Sequence, residues 1–487
     1  MRKNYTKQYR FDSSPIAQVE LNVECRDEII CVLIGLQHLY TNSALRMKVI
    51  RFVAADINED SRADVGRPGM DYWQVLVLAA VRLGCNLDFD KLQDQVENHR
   101  ALRGIMGIGE WEDLEGFNYR TIRETLCLLK PATISKLNEA IVTAGHAIDP
   151  QAGVTVRADS FVIETNIHYP SESTLILDGI RKLVPLCVDL ASTCGISGWR
   201  QISHLVKKIK KQTQKIGRMA ASKSPSKKAL LSTAYSELLE RAGKVLQLAR
   251  ELVKTAIKEH GSRVTALQTK TIELWIDLTS QVCDTAFRRV LLGESVPSSE
   301  KLFSLFETHT QLYRRGKVGQ ANQFGRLALV YEDGAGFISH YHLMDREATD
   351  KDVVVEQTVV VMDKHNGAIE SASFDRGFYS KENEQALQEL VGNVCVLPRA
   401  PSEYAERLKT ADIKFHKTRL HHSGIESAIG ALQRGNGLKR CRDKSEVGFE
   451  RYFGLGVLGR NIHTLGKLLL ARDHANSLAA TNRRKAA

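Results

Sequence analysis

Three carboxylates stand where a mixed α/β protein would place a metal-assisted phosphoryl-transfer site. Asp159 is read at the end of a strand that begins at Val154. Asp375 is read at the end of a later strand, just before Arg376-Gly377, and Glu426 in the first turns of a helix opened by Ser423 or Gly424. Two strand-end aspartates and a helix glutamate can share two divalent ions roughly 3.5–4 Å apart, one activating a nucleophile and the other stabilising the leaving oxygen. Hard oxygen donors suit Mg²⁺ or Mn²⁺, and so small a set leaves coordination positions for water and phosphate. The chain has 57 acidic residues, so spacing alone does not single these three out.

The hydrophobic pattern predicts the elements that must hold them. Residues 154–159 alternate and are rich in β-branched side chains, so they read as a strand closed by Asp159. Residues 171–181 read as a loop. Residues 327–331 and 337–343 read as a hairpin turned at Glu332-Asp333-Gly334-Ala335-Gly336. A helix capped by Asp350 runs to about 362, followed by a strand at 367–374, a helix at 381–390, a strand at 394–397 stopped by Pro398, and a final helix at 449–470 with an apolar stripe. Residues 1–150 read as helical. A buried helix at 72–83 follows Gly66-Arg67-Pro68-Gly69, and apolar periodicity returns at 92–96, 101–106, 121–129 and 134–142. Both a helix-turn-helix DNA reader and a plain bundle fit that pattern.

Residues 200–315 read as helical again. Apolar residues at i, i+3 and i+4 spacing run from Leu238 to Ala256, a second run covers 264–292, and Ser222-Lys223-Ser224-Pro225-Ser226 breaks the chain ahead of them. This predicts a long helical hairpin with a basic leading arm. Without that insert, the hairpin and crossover connections are compatible with an RNase H-like core.

Lys and Arg total 68 against 57 Asp and Glu, a net charge of +11. Ten of the cations, and no acid, fall between 190 and 236, so the remainder of the chain is close to neutral. Ten cations without an acid point to a polyanion, although a solvated helix face fits the same run. The nine cysteines are scattered and form no C-x-x-C, which argues against a zinc ribbon and predicts reduced cytosolic thiols packed in cores. No stretch of about 18 apolar residues is present to span a membrane. The N-terminus has no apolar signal-peptide core, so secretion is not expected.

Five stretches of the chain resemble bacterial insertion-sequence DDE transposases. Arg157-Ala158-Asp159-Ser160-Phe161-Val162-Ile163-Glu164-Thr165-Asn166-Ile167-His168-Tyr169-Pro170-Ser171-Glu172-Ser173 is similar to their first-aspartate segment, and Ser373-Phe374-Asp375-Arg376-Gly377-Phe378-Tyr379-Ser380 to the second. His422-Ser423-Gly424-Ile425-Glu426-Ser427-Ala428-Ile429-Gly430, continuing to Gly437-Leu438-Lys439-Arg440-Cys441-Arg442, resembles their glutamate helix. Gly316-Lys317 with Gln323-Phe324-Gly325-Arg326 matches the stretch before their second strand, and Gly66-Arg67-Pro68 with 98–106 their helical N-terminal domain.

The resemblance spans about residues 65–470. It implies an α/β fold: an RNase H-like mixed-sheet core, a large helical insertion after the first strand and an all-helical N-terminal domain. Asp159, Asp375 and Glu426 would be the catalytic metal ligands, with Mg²⁺ or Mn²⁺ as cofactor. The family often carries a basic residue four before its glutamate and a lysine seven after. Here those positions are His422 and Gln433, with Arg434 next. On this reading 1–150 is a helical DNA-binding domain, 151–181 the first catalytic strand and its loop, 182–315 the basic insertion, 316–445 the rest of the core and 446–487 a C-terminal helix with the basic tail Arg483-Arg484-Lys485.

Other residues have plainer readings. Glu164 lies five residues beyond Asp159, about 16 Å along an extended chain, too far to share its metal. Asn166, His168 and Tyr169 shape the site or its fold. His340 and His342 share a strand face without a nearby cysteine, as satisfied histidines do; His421 and His422 also stand as a pair. Gly435-Asn436-Gly437 reads as a helix stop. Phosphate contacts are expected from Lys207, Lys208, Lys210, Lys211, Lys215 and Arg218 in the basic run, and from Arg376, Arg434, Lys439, Arg440 and Arg442, with Arg419 a further candidate.

The expected function is a DDE transposase that binds double-stranded DNA at element ends, cleaves it and transfers strands. It would act as a homodimer or higher assembly in the bacterial cytoplasm, at the nucleoid when DNA-bound, with no membrane partner. A decayed or repurposed DNA-binding protein and a nuclease on the same fold are the alternatives, and a purely structural helical scaffold is disfavoured by the β-rich segments.

Overall fold

A computed structural model describes residues 5, 12, 14–59, 69–109, 111, 114–199, 202–261, 263–314 and 321–486. Gly66-Arg67-Pro68 and Gly316-Lys317 lie outside them. The chain leads with α1 (Glu28–Thr41), α2 (Ser43–Ile57), α3 (Tyr72–Gly84), α4 (Phe89–Asn98), α5 (Arg100–Met106), α6 (Tyr119–Cys127) and α7 (Pro131–Ile148). There follow β1 (Thr155–Thr165), α8 (Glu172–Thr193), α9 (Ile202–Ala221), α10 (Pro225–Ala229), α11 (Leu231–Glu259), α12 (Arg263–Ala286) and β2 (Gln311–Tyr313). The remainder is β3 (Gln323–Asp333), β4 (Ile338–Leu343), α13 (Asp350–Lys364), β5 (Ser371–Phe374), α14 (Lys381–Leu390), β6 (Asn393–Cys395), α15 (Pro401–Thr410), α16 (Ile413–His422), α17 (Ile425–Arg434), β7 (Arg440–Cys441) and α18 (Glu446–Ala486). The protein is mixed α/β, mostly helical with a small mixed sheet.

Two compact units divide the chain. The first combines Met1–Glu164 with Arg326–Ala487; the second is Thr165–Gly325. In the first, the strands run in the order β4-β3-β1-β5-β6, with β7 on β1. β3 and β4 form the expected antiparallel hairpin, whereas β1, β5 and β6 are parallel. α3 forms where expected, and all its residues are buried; Asp71 and Gln74 close its N-terminus as a capping box. α18 packs on α1, α3 and α7. It is buried almost all round from Phe449 to Arg460 rather than along one stripe, the pattern of a core helix. Gly459 lets it lie against the backbone of Gly84, where a Cβ would overlap Gly84 itself.

The second unit is a bundle in which α8, α9, α11 and α12 pack on one another. Leu238, Ala242, Val245, Leu246, Ala249, Leu252, Val253 and Ala256 are buried, the spacing that predicted α11. Several boundaries differ from expectation. Residues 171–181 are not a loop: Ser171 caps α8 in a capping box with Thr174. The bundle therefore takes in a helix ahead of residue 182. Helical structure stops well before 315, and β2 pairs antiparallel with the start of β3. Thr349, not Asp350, caps α13, boxed with Asp352. Pro401–Thr410 and Ile413–His422 are helices that the apolar pattern did not single out. All nine cysteines are free thiols, but only Cys187, Cys194, Cys395 and Cys441 are buried, and Cys25 and Cys127 are exposed. Among the described residues no helix is long and apolar enough to cross a membrane.

His340 is a satisfied core histidine. Its ring nitrogens lie 2.9 Å from Gln357 Oε1 and 2.9 Å from Lys364 Nζ, so Nε2–H donates and Nδ1 accepts in the neutral form. Burial pushes its pKa down to about 3, and burial likewise lowers His463 to about 4. Both bind protons more readily when unfolded, so each contributes stability that is complete above pH 6.5 and is lost as the pH falls toward these values. Urea midpoints should therefore drop between pH 7 and pH 4.5, and His340→Gln should flatten that drop. A variant with the wild-type pH profile would show that His340 is not a source of it.

Candidate active site

The parallel pairing of β1 with β5 sets Arg157 opposite Ser373 and Ala158 opposite Phe374. Asp159 is the next residue of β1 and Asp375 the residue just past the end of β5, and the two strands lie about 4.8 Å apart. Alternation puts Asp159 on the same face as Arg157, and the Asp375 position on the same face as Ser373. Asp159 does not close its strand, as expected from the sequence; β1 runs six residues further, to Thr165, and is buried from Ser160 onward. Asp159 is half-buried and its carboxylate accepts from the Ser160 N–H at 2.7 Å. Asp375 ends its strand as expected and leads into a 3₁₀ turn, Arg376–Phe378.

α17 carries the third acid. Ile425, Ala428, Ile429 and Leu432 are its buried face, joined to the core that includes Phe161 and Ile163 of β1. Glu426 points away from that face and is exposed. The start of the helix is set by Arg157. Its Nε donates to Glu332 Oε2 on neighbouring β3 at 2.6 Å, and its Nη1 donates to the His421 carbonyl at 2.8 Å. Gly424, the residue before α17, lies so close to this guanidinium that a Cβ would collide with it. Arg157 thus ties the sheet to the turn that presents Glu426.

His422 completes this neighbourhood. Its Nδ1 is 3.2 Å from Ser373 Oγ. Burial pushes its pKa down, the nearby Asp375 carboxylate pulls it partly back, and Arg157 opposes protonation. The imidazole is consequently neutral at pH 7. Neither Arg157 nor His422 was assigned a role from sequence alone, although the two-residue offset of Arg157 from Asp159 places both on one strand face.

The fold brings Asp159 and Asp375 to adjoining strand positions and docks the Glu426 helix through Arg157 on that face. The carboxylates of Asp375 and Glu426 make no hydrogen bond or ion pair among the described residues, so both are available to a ligand. The donor set is all oxygen, which fits Mg²⁺ or Mn²⁺. As they stand, however, no group of three or more His, Cys, Asp or Glu side chains among the described residues could hold a metal ion.

The expected phosphate contacts fall into two groups. Lys207, Lys208, Lys210, Lys211, Lys215 and Arg218 are all exposed on α9, opposite the buried Ile202, Ile209, Gln212, Thr213 and Ile216. None of the six pairs with a carboxylate among the described residues. Of the rest, Arg434 and Lys439 are exposed, and Arg376 lies over the Tyr404 ring at 4.1 Å. Arg440 is engaged by the buried Glu164 at 3.0 Å, and Arg442 bonds Tyr452 Oη at 2.9 Å and Asn86 Oδ1 at 2.8 Å. These last two arginines have structural partners that the sequence did not reveal.

Comparisons with protein-family models, curated proteins and solved structures find no match to this chain.

The Arg157–Gly424 fit makes a double-mutant test. Gly424→Ala should destabilise by about 1–3 kcal/mol through overpacking. Arg157→Met should cost about 3–5 kcal/mol by leaving Glu332 buried without its partner. In the Arg157→Met background Gly424→Ala should cost little, because the colliding group is gone. Urea unfolding of the four proteins measures the coupling, and additive costs would contradict the clamp.

Proposed function

We propose that the chain is a DDE transposase with an RNase H-like core, cleaving and rejoining DNA by metal-assisted phosphoryl transfer. The observation that carries this reading is the β1–β5 register, which places Asp159 beside Asp375, with the Glu426 helix tied to the same face by Arg157. A mixed sheet with one hairpin and parallel strands fits the core that the resemblance implies. Divalent ions held by Asp159, Asp375 and Glu426 would activate the attacking water or 3′-hydroxyl and stabilise the leaving oxygen. Asp159 and Asp375 follow the last paired positions of β1 and β5, and Glu426 stands in the first turn of α17. His422 stays neutral beside Asp375 and does not compete with a cation for its charge. The exposure of Asp375 and Glu426 leaves the site open to a DNA strand.

The unpaired cations of α9 would hold double-stranded DNA by its phosphates, a salt-sensitive grip that carries no sequence information. Pairing two element ends would require a dimer or higher assembly. A second reading is a DNA-binding protein that no longer cleaves; the observation on its side is that among the described residues no three His, Cys, Asp or Glu side chains are grouped to hold a metal.

Two measurements separate these readings. Wild-type protein with Mg²⁺ should nick and join a supercoiled plasmid carrying the gene and its flanking DNA. Asp375→Ala should abolish both products with DNA affinity unchanged. An inactive wild type that still binds DNA would favour the second reading, and equal loss of binding and cleavage in the variant would remove Asp375 from catalysis. Replacing Lys207, Lys208, Lys210 and Lys211 by Gln should lower the slope of log affinity against log salt by up to about 0.9 for each phosphate no longer neutralised. An unchanged slope would leave α9 as a solvated face.

A further inference from the structure

We propose that a cleft within the Thr165–Gly325 unit binds one nucleotide of an unpaired DNA strand, its phosphate on Arg289, Lys301 and Arg314 and its base on the ring of Tyr169. All four residues line this cleft. Tyr169 is 71% exposed, yet its ring is braced edge-on against Phe324 at 5.6 Å, and Phe324 in turn packs against Phe303 at 5.5 Å. A held, exposed aromatic ring offers a stacking platform to any base with a free π-face, which a base inside a duplex lacks.

The cations are gathered, not scattered. The Lys301 amine is pushed below its ordinary pKa by burial and then by Arg289 and Arg314 beside it. Among the described residues Glu172 is the one acid lining the cleft, and it pairs with Arg289. The described lining thus sets three cations beside one carboxylate, a gathering of positive charge that favours an anion. The cleft encloses about 150 Å³. That is well below the roughly 300–1,000 Å³ of sites that engulf a drug-sized ligand, so the phosphate enters and the base stacks at the mouth. The inference stands on this cleft alone and does not depend on the carboxylate site.

The test uses the full chain without divalent metal, with Lys207, Lys208, Lys210 and Lys211 replaced by Gln to remove the α9 contribution. A short fluorescent oligothymidylate is titrated and followed by anisotropy. Tyr169→Ala should weaken binding about tenfold, in line with the loss of one base–aromatic stack. Tyr169→Phe should retain binding, and Arg314→Gln should weaken it. Thymidine 5′-monophosphate should compete much better than inorganic phosphate; competition by the free nucleotide that matches the oligonucleotide's own affinity would assign the cleft to a soluble nucleotide and overturn the strand proposal. Absence of binding, binding indifferent to Tyr169→Ala, equal competition by inorganic phosphate, or the same Tyr169 dependence with a duplex would each overturn it as well. No metal is needed, so this outcome and that of the cleavage assay are read separately.

Discussion

The guanidinium of Arg157 sits on β1 between a buried carboxylate and the turn that starts the glutamate helix, and the geometry of the carboxylate site depends on that placement. Burial pushes the Glu332 carboxyl above its ordinary pKa, and the hydrogen bond and charge of Arg157 bring it partly down. A buried carboxylate and guanidinium are costly apart and acceptable together. Because the guanidinium also donates to the His421 carbonyl, the pair fixes where α16 ends and α17 begins. Gly424 closes the joint by having no side chain to displace it. Asp159 lies two residues along the same strand, so a single anchored strand presents both the clamp and the first acid.

Much of this arrangement was legible in the sequence. The extents of α14 and α17, the β3–β4 hairpin and the burial of α3 follow from apolar periodicity and turn residues, signals that act over a few residues. Asp375 at a strand end was legible because Arg376-Gly377 breaks the strand immediately after it. The end of β1 was not legible, because Asp159 looks like a polar stop. The strand continues since Ser160 to Thr165 are buried, and it is lined by a partner, β7, too short to announce itself. α8 was hidden behind Ser171-Glu172-Ser173-Thr174, whose loop-like composition is also that of a capping box. The ties of Arg440 to Glu164 and of Arg442 to Asn86 join residues hundreds of positions apart, and no local pattern encodes them.

Charge is divided between two kinds of place. On α9 the cations are solvent-facing, and none of them pairs with a carboxylate among the described residues. In the 1–164 and 326–487 unit, arginines are used inwardly. Arg157 pairs with Glu332, Arg82 with Asp443 and Arg326 with Glu446. Solvent-facing cations and inward-paired arginines thus occupy different units, and burial and partners tell the two apart.

The proposed site requires Asp159, Asp375 and Glu426 to share divalent metal. Crystals grown with Mn²⁺ and measured for anomalous scattering should show manganese peaks ligated by carboxylate oxygens of Asp159 and Asp375, with Glu426 turned in to complete the set. Manganese absent from this strand end, or bound there with Glu426 directed elsewhere, would contradict it.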